Sequence, residues 1–529
     1  MTTQRSLTEI RDFHAFVGAG GGKAGFGDAR PVMAGLEGYF RYIGGIDVDT
    51  RAVQTADRVF PRECPSTVMD LFDRDQYTAF HGKPPPQDWC EATPADIQRA
   101  AHNEAPNVVF LSAPCKGFSG LMSENRSLTD KYQALNRLAE RAMWLMLEAW
   151  ADDPAEFYLF ENVPRIATRG RAMLDRITAL LNHYGYVDRE TVHDCGEIGG
   201  LHQSRKRFLK VSRHAAKVPS HLYEPIRRPL RPVGELLERM RLPGDVAAGP
   251  MHRIPNLSWK TWVRLAFVEP GKDWRSLNRL AVEDGHLRDY LIVPAGPDDW
   301  HAGVLGVSRW DQPSGTVTGS NRPCNGRFSV ADPRAAVGAE QYQQYGVLRW
   351  QEASGAVIGV KSPGQGRYSV ADPRPGLRRQ PGDAYVSAGH YGVTAWDAAT
   401  GAVSAAAQHD NGRWSVADPR LPAATDKVQA VIRSLDGSWH RPFTTLELAA
   451  LQGLFDPDDD QLFTMDSGTD SAAREHIGNM VPRHAATAIA AEIGRAILLT
   501  RTGQTFRLSA TPVWVRPVAI AIALDGGAL

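Results

Sequence analysis

The chain has 529 residues, 43% hydrophobic and 23% charged, the make-up of a soluble globular protein longer than one ordinary core. Its 60 Lys+Arg equal its 60 Asp+Glu, so net charge points to no polyanionic partner, although a nucleic-acid site needs only a local basic face. The five cysteines (Cys64, Cys90, Cys115, Cys195, Cys324) are odd in number, widely spaced and without a CxxC pair, which argues against a disulfide framework and a structural zinc site. The N-terminal MTTQRSLTEIRDF has no apolar signal core and no run reaches transmembrane length, so a protein made and used in a reducing cytoplasm is expected.

From about residue 10 to 212, short apolar runs alternate with helical stretches, the pattern of an α/β domain. The candidate strands are Phe13–Val17, Phe40–Ile46, Asn107–Ser112, Phe157–Phe160 and Phe208–Val211, and Leu128–Ala151 and Ala172–His183 carry apolar residues at helical spacing. Residues 205–241 then hold eleven Arg/Lys against Glu224, Glu235 and Glu238, which by itself reads as a solvated charged surface.

After about residue 213, Pro, Gly, Trp and Arg rise and a repeat becomes visible in residues 310–334, 350–374 and 396–420. Each unit runs from a Trp to the segment Ser-Val-Ala-Asp-Pro-Arg, with 22 residues from Trp to Asp every time. Asn325-Gly326 and Asn411-Gly412 are hairpin-turn signals, with Gln365-Gly366 in the equivalent place, so strand–turn–strand units are predicted. The two-residue strand period places Phe328, Tyr368 and Trp414 on one face and Arg327, Arg367 and Arg413 on the other. Those arginines form a candidate contact face, and repeats that only stack on one another are the alternative.

Helical sequence returns at Arg441–Leu454 and His476–Leu499. The expected organisation is a first domain in residues 1–212 completed by 441–500, an insertion of roughly 230 residues at 213–440, and a C-terminal extension at 501–529.

Six segments end or begin an apolar strand with polar or reactive residues, and ligands of open α/β sheets bind outside the carboxyl ends of the strands. Phe16-Val17-Gly18-Ala19-Gly20-Gly21-Gly22 is a glycine-rich turn that lets backbone approach a ligand. Ile46-Asp47-Val48-Asp49 offers an acid suited to the two hydroxyls of a ribose, although the 29 residues from Gly18 exceed the usual ~20. Met69-Asp70-Leu71 offers a second acid. Ser112-Ala113-Pro114-Cys115-Lys116-Gly117 places a cysteine on a Pro/Gly-bounded loop after a buried strand, poised for nucleophilic attack. Phe160-Glu161-Asn162-Val163-Pro164 ends an apolar run with an acid that must be paired, protonated or functional. Gln203-Ser204-Arg205-Lys206-Arg207-Phe208 alternates, so Arg205 and Arg207 share a face.

This ordered set resembles the DNA cytosine-5 methyltransferase family in FVGAGG, GIDVD, MDL, APCKGFS, FENVP and QSRKRF, then, after a variable insertion, FTTLELAALQGLF and HIGNMVP. It departs from the family pattern where His14 stands for an acid, Val48 for an aromatic, Lys116 for Gln, His202 for Pro and Leu446 for Arg. The resemblance implies an α/β fold: a Rossmann-like S-adenosylmethionine-dependent methyltransferase domain with a large, mostly β target-recognition insertion.

It also implies roles. Cys115 attacks C6 of cytosine, Glu161 acts on N3, Arg207 holds O2 and Arg205 assists. S-adenosylmethionine lies against Phe16, Gly18, Ala19, Gly20, Asp47, Val48, Asp70, Leu71, Pro114, Asn479 and Val481, without a metal. Gln203 joins Arg327, Arg367 and Arg413 on the DNA side. The implied activity is that of a DNA (cytosine-5-)-methyltransferase acting at a specific duplex sequence by base flipping. A monomer in the cytoplasm, associated with the nucleoid through DNA, is expected, and a cognate restriction endonuclease is an admissible partner. Methylation of RNA, a modified methyl donor and a non-catalytic DNA-binding homologue are the alternatives.

Overall fold

The computed structural model describes residues 6–114, 129–253 except 222 and 244, 392–403, 412–420, 439–503 except 460 and 461, and short strands and turns elsewhere between 267 and 507. The chain divides into two compact units. The first comprises Met1–Val293, Ser387–Pro422 and Ile432–Leu529, and the second Pro294–Val386 and Ala423–Val431.

The first unit is built on an eight-stranded sheet of β1 (Ser6–Ala15), β2 (Val32–Met33), β3 (Leu36–Asp47), β4 (Ser66–Val68), β5 (Val108–Leu111), β6 (Phe157–Asn162), β7 (Tyr186–Asp194) and β8 (Lys206–His214). The order is β2-β3-β1-β5-β6-β8-β7, with β4 also on β3. Strands β4, β3, β1, β5 and β6 run parallel, whereas β8 is antiparallel to both β6 and β7. This is a Rossmann-like sheet, and its order turns back between β1 and β5, the place where such sheets open a crevice.

The central strands are apolar on both faces because helices cover both. Phe13, Val109, Leu111, Tyr158 and Phe160 pack under α3 (Asp130–Ala149) and α4 (Arg171–His183). Ile10, Val108, Phe110, Phe157 and Leu159 alternate to the other face, against α1 (Gly21–Asp28) and α7 (Arg483–Arg501). Each such side chain contributes about 1.5–3 kcal/mol by leaving water. Helix α7 is the distant segment that completes the domain, and Gly25 lets it in. A Cβ there would lie 2.3 Å from the Arg483 carbonyl oxygen and 2.5 Å from Ala486 Cβ.

The predicted strands and helices of residues 10–212 are present, most of them longer than their apolar cores. Strand β7 has no counterpart in the sequence reading. It is the sheet's outer strand, and its polar DRETVH segment is mostly half-buried or exposed, so no apolar run marks it.

Between 205 and 241 the basic residues are largely engaged within the protein. Lys210 is buried against Asp188 and Glu190, Lys217 pairs with Asp153, Arg231 with Glu235, Arg239 with Asp456 and Asp458, and Arg241 with Asp245.

The repeats share one local geometry. Val307–Arg309 pairs with Ser329–Ala331, Val347–Leu348 with Ser369–Val370, and Val393–Thr394 with Ser415–Asp418. The strand that opens each pair lies just before the repeat's Trp, and all three pairs are parallel, which is not the pairing of a hairpin. This corrects the hairpin expectation for the third repeat. Ser415 and Val416 already have Val393–Thr394 on one edge and antiparallel Trp439–Pro442 on the other, so no edge remains for a strand folded back at Gly412. Asn325, Gly326, Gln365, Gly366 and Asn411 lie outside the described residues.

The third repeat belongs to the first unit and is fastened by buried charge. Arg441 donates to Asp418 Oδ2 at 2.7 and 3.0 Å and to Glu447 at 2.8 and 2.9 Å, all three side chains being fully buried. Arg420 adds a bond to Asp418, bonds to the carbonyls of Leu237 and Met240, and a stack on Trp396 with the guanidinium 5.0 Å from the ring centre. Burial raises the Asp418 and Glu447 carboxyls, but Arg441, with Arg420 beside Asp418, holds both below their ordinary values. Their contribution to stability is therefore present above the unfolded carboxylate range and is lost as pH falls through the depressed folded values. Replacing Arg441→Met is expected to cost about 3–5 kcal/mol at neutral pH, because two buried carboxylates lose their partner. Urea unfolding of wild type and variant from neutral to acid pH measures this. The gap between them should shrink as the carboxylates protonate; a gap independent of pH would contradict the ion-pair account.

Candidate active site

The parallel strands deliver their carboxyl ends to one edge of the sheet, and a cavity of about 350 Å³ opens there. Its wall takes Phe16, Val17 and Gly18 after β1, Asp47–Asp49 from the end of β3, Met69–Phe72 after β4, Ser112–Pro114 after β5, and Glu161–Val163 from the end of β6. Because β8 runs the other way, its beginning lies at this same edge and contributes Arg207. The loop after α6 (Asp470–Asn479) closes the remaining side with Asn479, Met480 and Val481. A larger cleft of about 690 Å³, lined by Arg228, Arg231, Ala488 and others, contains none of the sequence-predicted site residues.

The glycine-rich turn is held by hydrogen bonds to β3. Val17 N–H donates to the Ile46 carbonyl at 3.1 Å, and Gly18 N–H to Asp47 Oδ2 at 2.8 Å. Phe16 has φ 62°, a left-handed conformation rare for a side chain of its size, and its carbonyl accepts from Ser112 Oγ at 3.2 Å. Gly18 has φ 54° with no protein atom within 4 Å of where a Cβ would point, so a ligand can approach its backbone. Asp47 Oδ1 accepts from Asp49 N–H at 2.9 Å. Burial nonetheless raises the Asp47 carboxyl above its ordinary value.

Asp70 uses its oxygens on Phe72 N–H at 2.9 Å and Trp89 Nε1 at 3.2 Å, which orients the carboxylate while leaving lone pairs for a further donor. Val48 sits exposed at the rim, Leu71 is buried in the wall, and Pro114 reaches the cavity as the last described residue before position 115. Cys115 itself lies outside the described residues. Of the other described cysteines, Cys195 is buried and its thiol is pushed up to about 12 by that burial, too high for a nucleophile at neutral pH.

Glu161 and Arg207 face each other at the site. Arg207 Nε lies 2.9 Å from Glu161 Oε1, with Glu161 8% and Arg207 13% exposed at the side chain. Asn162, next to the acid, donates to the Ala113 carbonyl at 3.4 Å and accepts from Val163 N–H, which ties the end of β6 to the segment leading toward Cys115.

Four predicted residues fall elsewhere. Ala19 is buried in the core cluster with Phe60 and Leu446, and Gly20 packs on Ala56 of α2 (Thr50–Val59) and on Phe60; neither lines the cavity. Gln203 is fully buried, donating to the Leu451 carbonyl at 2.7 Å and to Gln452 Oε1 at 3.0 Å and accepting from Val403 N–H at 3.1 Å. Its amide is engaged inside the protein, which corrects its placement on a DNA-contacting surface. Arg205 is buried too, and its guanidinium bonds to the carbonyls of Val403, Gly478 and Met480, so it does not face the cavity beside Arg207. Arg413 is exposed while Trp414 is buried, and Arg327 and Arg367 lie outside the described residues.

Two histidines to which the sequence reading gave no role line the cavity. His14, buried on β1, lines the cavity floor with Nε2 2.8 Å from Asp12 Oδ2. The signal was the Asp12/His14 alternation within a strand, which puts both on one face. His476 lines the opposite wall, bonded to Ser467 Oγ at 2.9 Å and to Asp49 Oδ2 at 3.0 Å. That contact spans 427 positions in the chain, and no local pattern announces it.

Among the described residues no cluster of three His, Cys, Asp or Glu is disposed to hold a metal, and no helix is long and apolar enough to cross a membrane.

No family model matches the chain, and no curated protein does. Solved structures similar to it include the Entamoeba histolytica methyltransferase EhMeth (10% identity, 93% of this chain and 98% of that one, TM-score 0.42). The S. pombe Dnmt2 methyltransferase is similar at 10% identity, over 94% and 99% of the two chains, with a TM-score of 0.41. A putative DNA modification methyltransferase encoded within an E. coli prophage is similar at 13% identity, over 92% and 99%, with a TM-score of 0.39.

Burial raises the Glu161 carboxyl above its ordinary value, against the pull of Arg207 and Arg205. The folded protein therefore holds this proton to higher pH than the unfolded chain, and stability falls as pH rises from the ordinary carboxylate value to the folded one. Arg207→Met should raise the carboxyl further, because the nearer countercharge is gone. Thermal melts across a pH series are expected to show the variant losing stability over a wider interval toward neutral pH. Parallel curves for the two proteins would mean that Arg207 does not govern this proton. The chain has a Rossmann-like α/β fold and carries on it an ordered set of segments that resembles the DNA cytosine-5 methyltransferase family.

Proposed function

We propose that the protein methylates C5 of cytosine in double-stranded DNA at a specific sequence, with Cys115 as nucleophile and S-adenosylmethionine as donor. The observation that carries this reading is the convergence on one cavity of Glu161, Arg207 and the segment ending at Pro114, beside a glycine turn and the Asp47 carboxylate.

The cavity suits the donor. Asp47 would accept from ribose hydroxyls, Asp70 from the adenine amino group, and Phe16 would offer its ring to a sulfonium, an attraction of the cation–π kind. Asn479 and Val481 would border the methionine end. When bound, S-adenosylmethionine supplies an electrophilic methyl group.

The remaining chemistry falls to the chain's own groups. C5 of cytosine is a poor nucleophile until a thiolate adds to C6 and converts the ring to an enamine, the task of Cys115. Charge then builds on the ring, and a proton held at N3 relieves it. Glu161, kept protonated toward higher pH by burial, is suited to that donation, and Arg207, beside it at the cavity, would hold O2. Loss of the C5 proton releases the cysteine. The target atom is unreachable inside a duplex, so the base must be flipped out into the cavity.

Sequencing DNA and RNA at base resolution from cells expressing the chain tests the reading. 5-Methylcytosine at a fixed motif in DNA is expected; its appearance in RNA alone would move the substrate class. Cys115→Ala is expected to abolish methyl transfer while DNA binding persists, and 5-fluorocytosine DNA should crosslink wild type only. Turnover by the alanine variant would refute the covalent route. Glu161→Gln should lower turnover by the ~10²–10⁴ typical of a general acid, with donor affinity nearly unchanged. A collapse of donor affinity with turnover intact would show that Glu161 belongs to the donor site instead.

A further inference from the structure

Two of the four predicted residues that lie away from the cavity, Gln203 and Arg205, occupy a specific place between the third repeat and the cavity wall. Residues 202–204 lie alongside Thr400: Thr400 N–H donates to the His202 carbonyl at 3.0 Å, and Ser204 N–H to the Thr400 carbonyl at 2.7 Å. Three residues on, Val403 is held from both sides, its N–H by Gln203 and its carbonyl by Arg205. The same guanidinium reaches the Gly478 carbonyl at 2.9 Å and the Met480 carbonyl at 3.0 Å. Gln203 in turn touches Gln452, whose amide donates to the Ile477 carbonyl at 2.9 Å. Carbonyls 477, 478 and 480 bracket Asn479, and Gly478, Asn479 and Met480 all line the cavity.

A planar guanidinium with a rigid fork of donors can hold carbonyls from two remote segments in one fixed relation, which a point-charge ammonium cannot reproduce. We infer that Arg205 is a positioning residue that couples the third repeat to the donor cavity, so that nucleic acid bound through the repeat region and donor bound in the cavity strengthen each other. The inference rests on the cytosine methyltransferase reading above. Moving Val403 moves the guanidinium, and with it the two carbonyls that set the Asn479 wall. By linkage the coupling must be reciprocal, each ligand raising the other's affinity by the same factor.

The test uses the full chain, S-adenosylhomocysteine as the cavity ligand, and a random-sequence, cytosine-containing duplex. Calorimetry gives the S-adenosylhomocysteine affinity with and without saturating duplex. In wild type the duplex should raise it by about 5-fold or more, the lower end of ordinary coupling. Arg205→Lys should still bind each ligand alone, with that ratio falling toward one. A ratio of one in wild type, or a variant weakened equally with and without duplex, overturns the coupling; the second result is what a purely structural arginine would give. Wild type that binds no S-adenosylhomocysteine at all overturns the methyltransferase reading itself, and the coupling with it.

If the lysine variant does not fold, amide hydrogen exchange on wild type decides without a substitution. Duplex alone should slow exchange in residues 476–481 as well as in 400–403. Protection confined to the repeat overturns the proposal.

Discussion

Strand β8 runs against both of its neighbours, and the rest of the site depends on that reversal. A sixth parallel strand would have carried its start to the far side of the sheet. Instead the beginning of β8 lies where β1, β3, β5 and β6 end, so Arg207 meets Glu161 across the edge of β6. The same reversal brings Gln203 and Arg205, just upstream, against the C-terminal segments that complete the domain. One alternating run, Gln203-Ser204-Arg205-Lys206-Arg207, thereby serves two purposes. Its last arginine faces the cavity, while its first members hold the cavity's wall and the third repeat from behind.

Burial of charge is the second organising constraint. Arg205, Arg441, Lys23 and Glu447 are almost wholly removed from water, and each is matched by carbonyls or by an opposite charge. Replacing such a set whole by apolar residues can be neutral, but removing one member leaves a buried charge without its partner, so the charges demand one arrangement. Arg441 joins Asp418 of the third repeat to Glu447 of α5 (Thr445–Leu451), whose capping box also uses Glu447. The repeat cannot shift along the domain without leaving these charges unpaired. This explains why the third repeat belongs to the first unit, while the first and second repeats fall within the second unit.

Much of the architecture was legible in the order of residues. The apolar runs of β1, β3, β5, β6 and β8 announce themselves because central strands buried on both faces must be continuously apolar, and the polar residue that ends each run marks the edge where a ligand binds. Glu161, Asp47, Asp70, Gly18 and Phe16 were singled out by strand-end position together with the family resemblance, and all of them line one cavity. The direction of burial was not legible. Arg205 and Arg207 are equivalent by strand period, yet one is enclosed by Val403, Gly478 and Met480 and the other faces Glu161, because segments some 200 and 270 positions away pack on the first and not on the second. The hairpin expected at Gly412 failed for the same reason: turn chemistry is local, but the edges of Ser415 and Val416 were taken by strands distant in sequence. Local periodicity determined which residues stand at the edge of the sheet; only tertiary packing decided which of them face the cavity, because that choice is made by partners the local sequence does not contain.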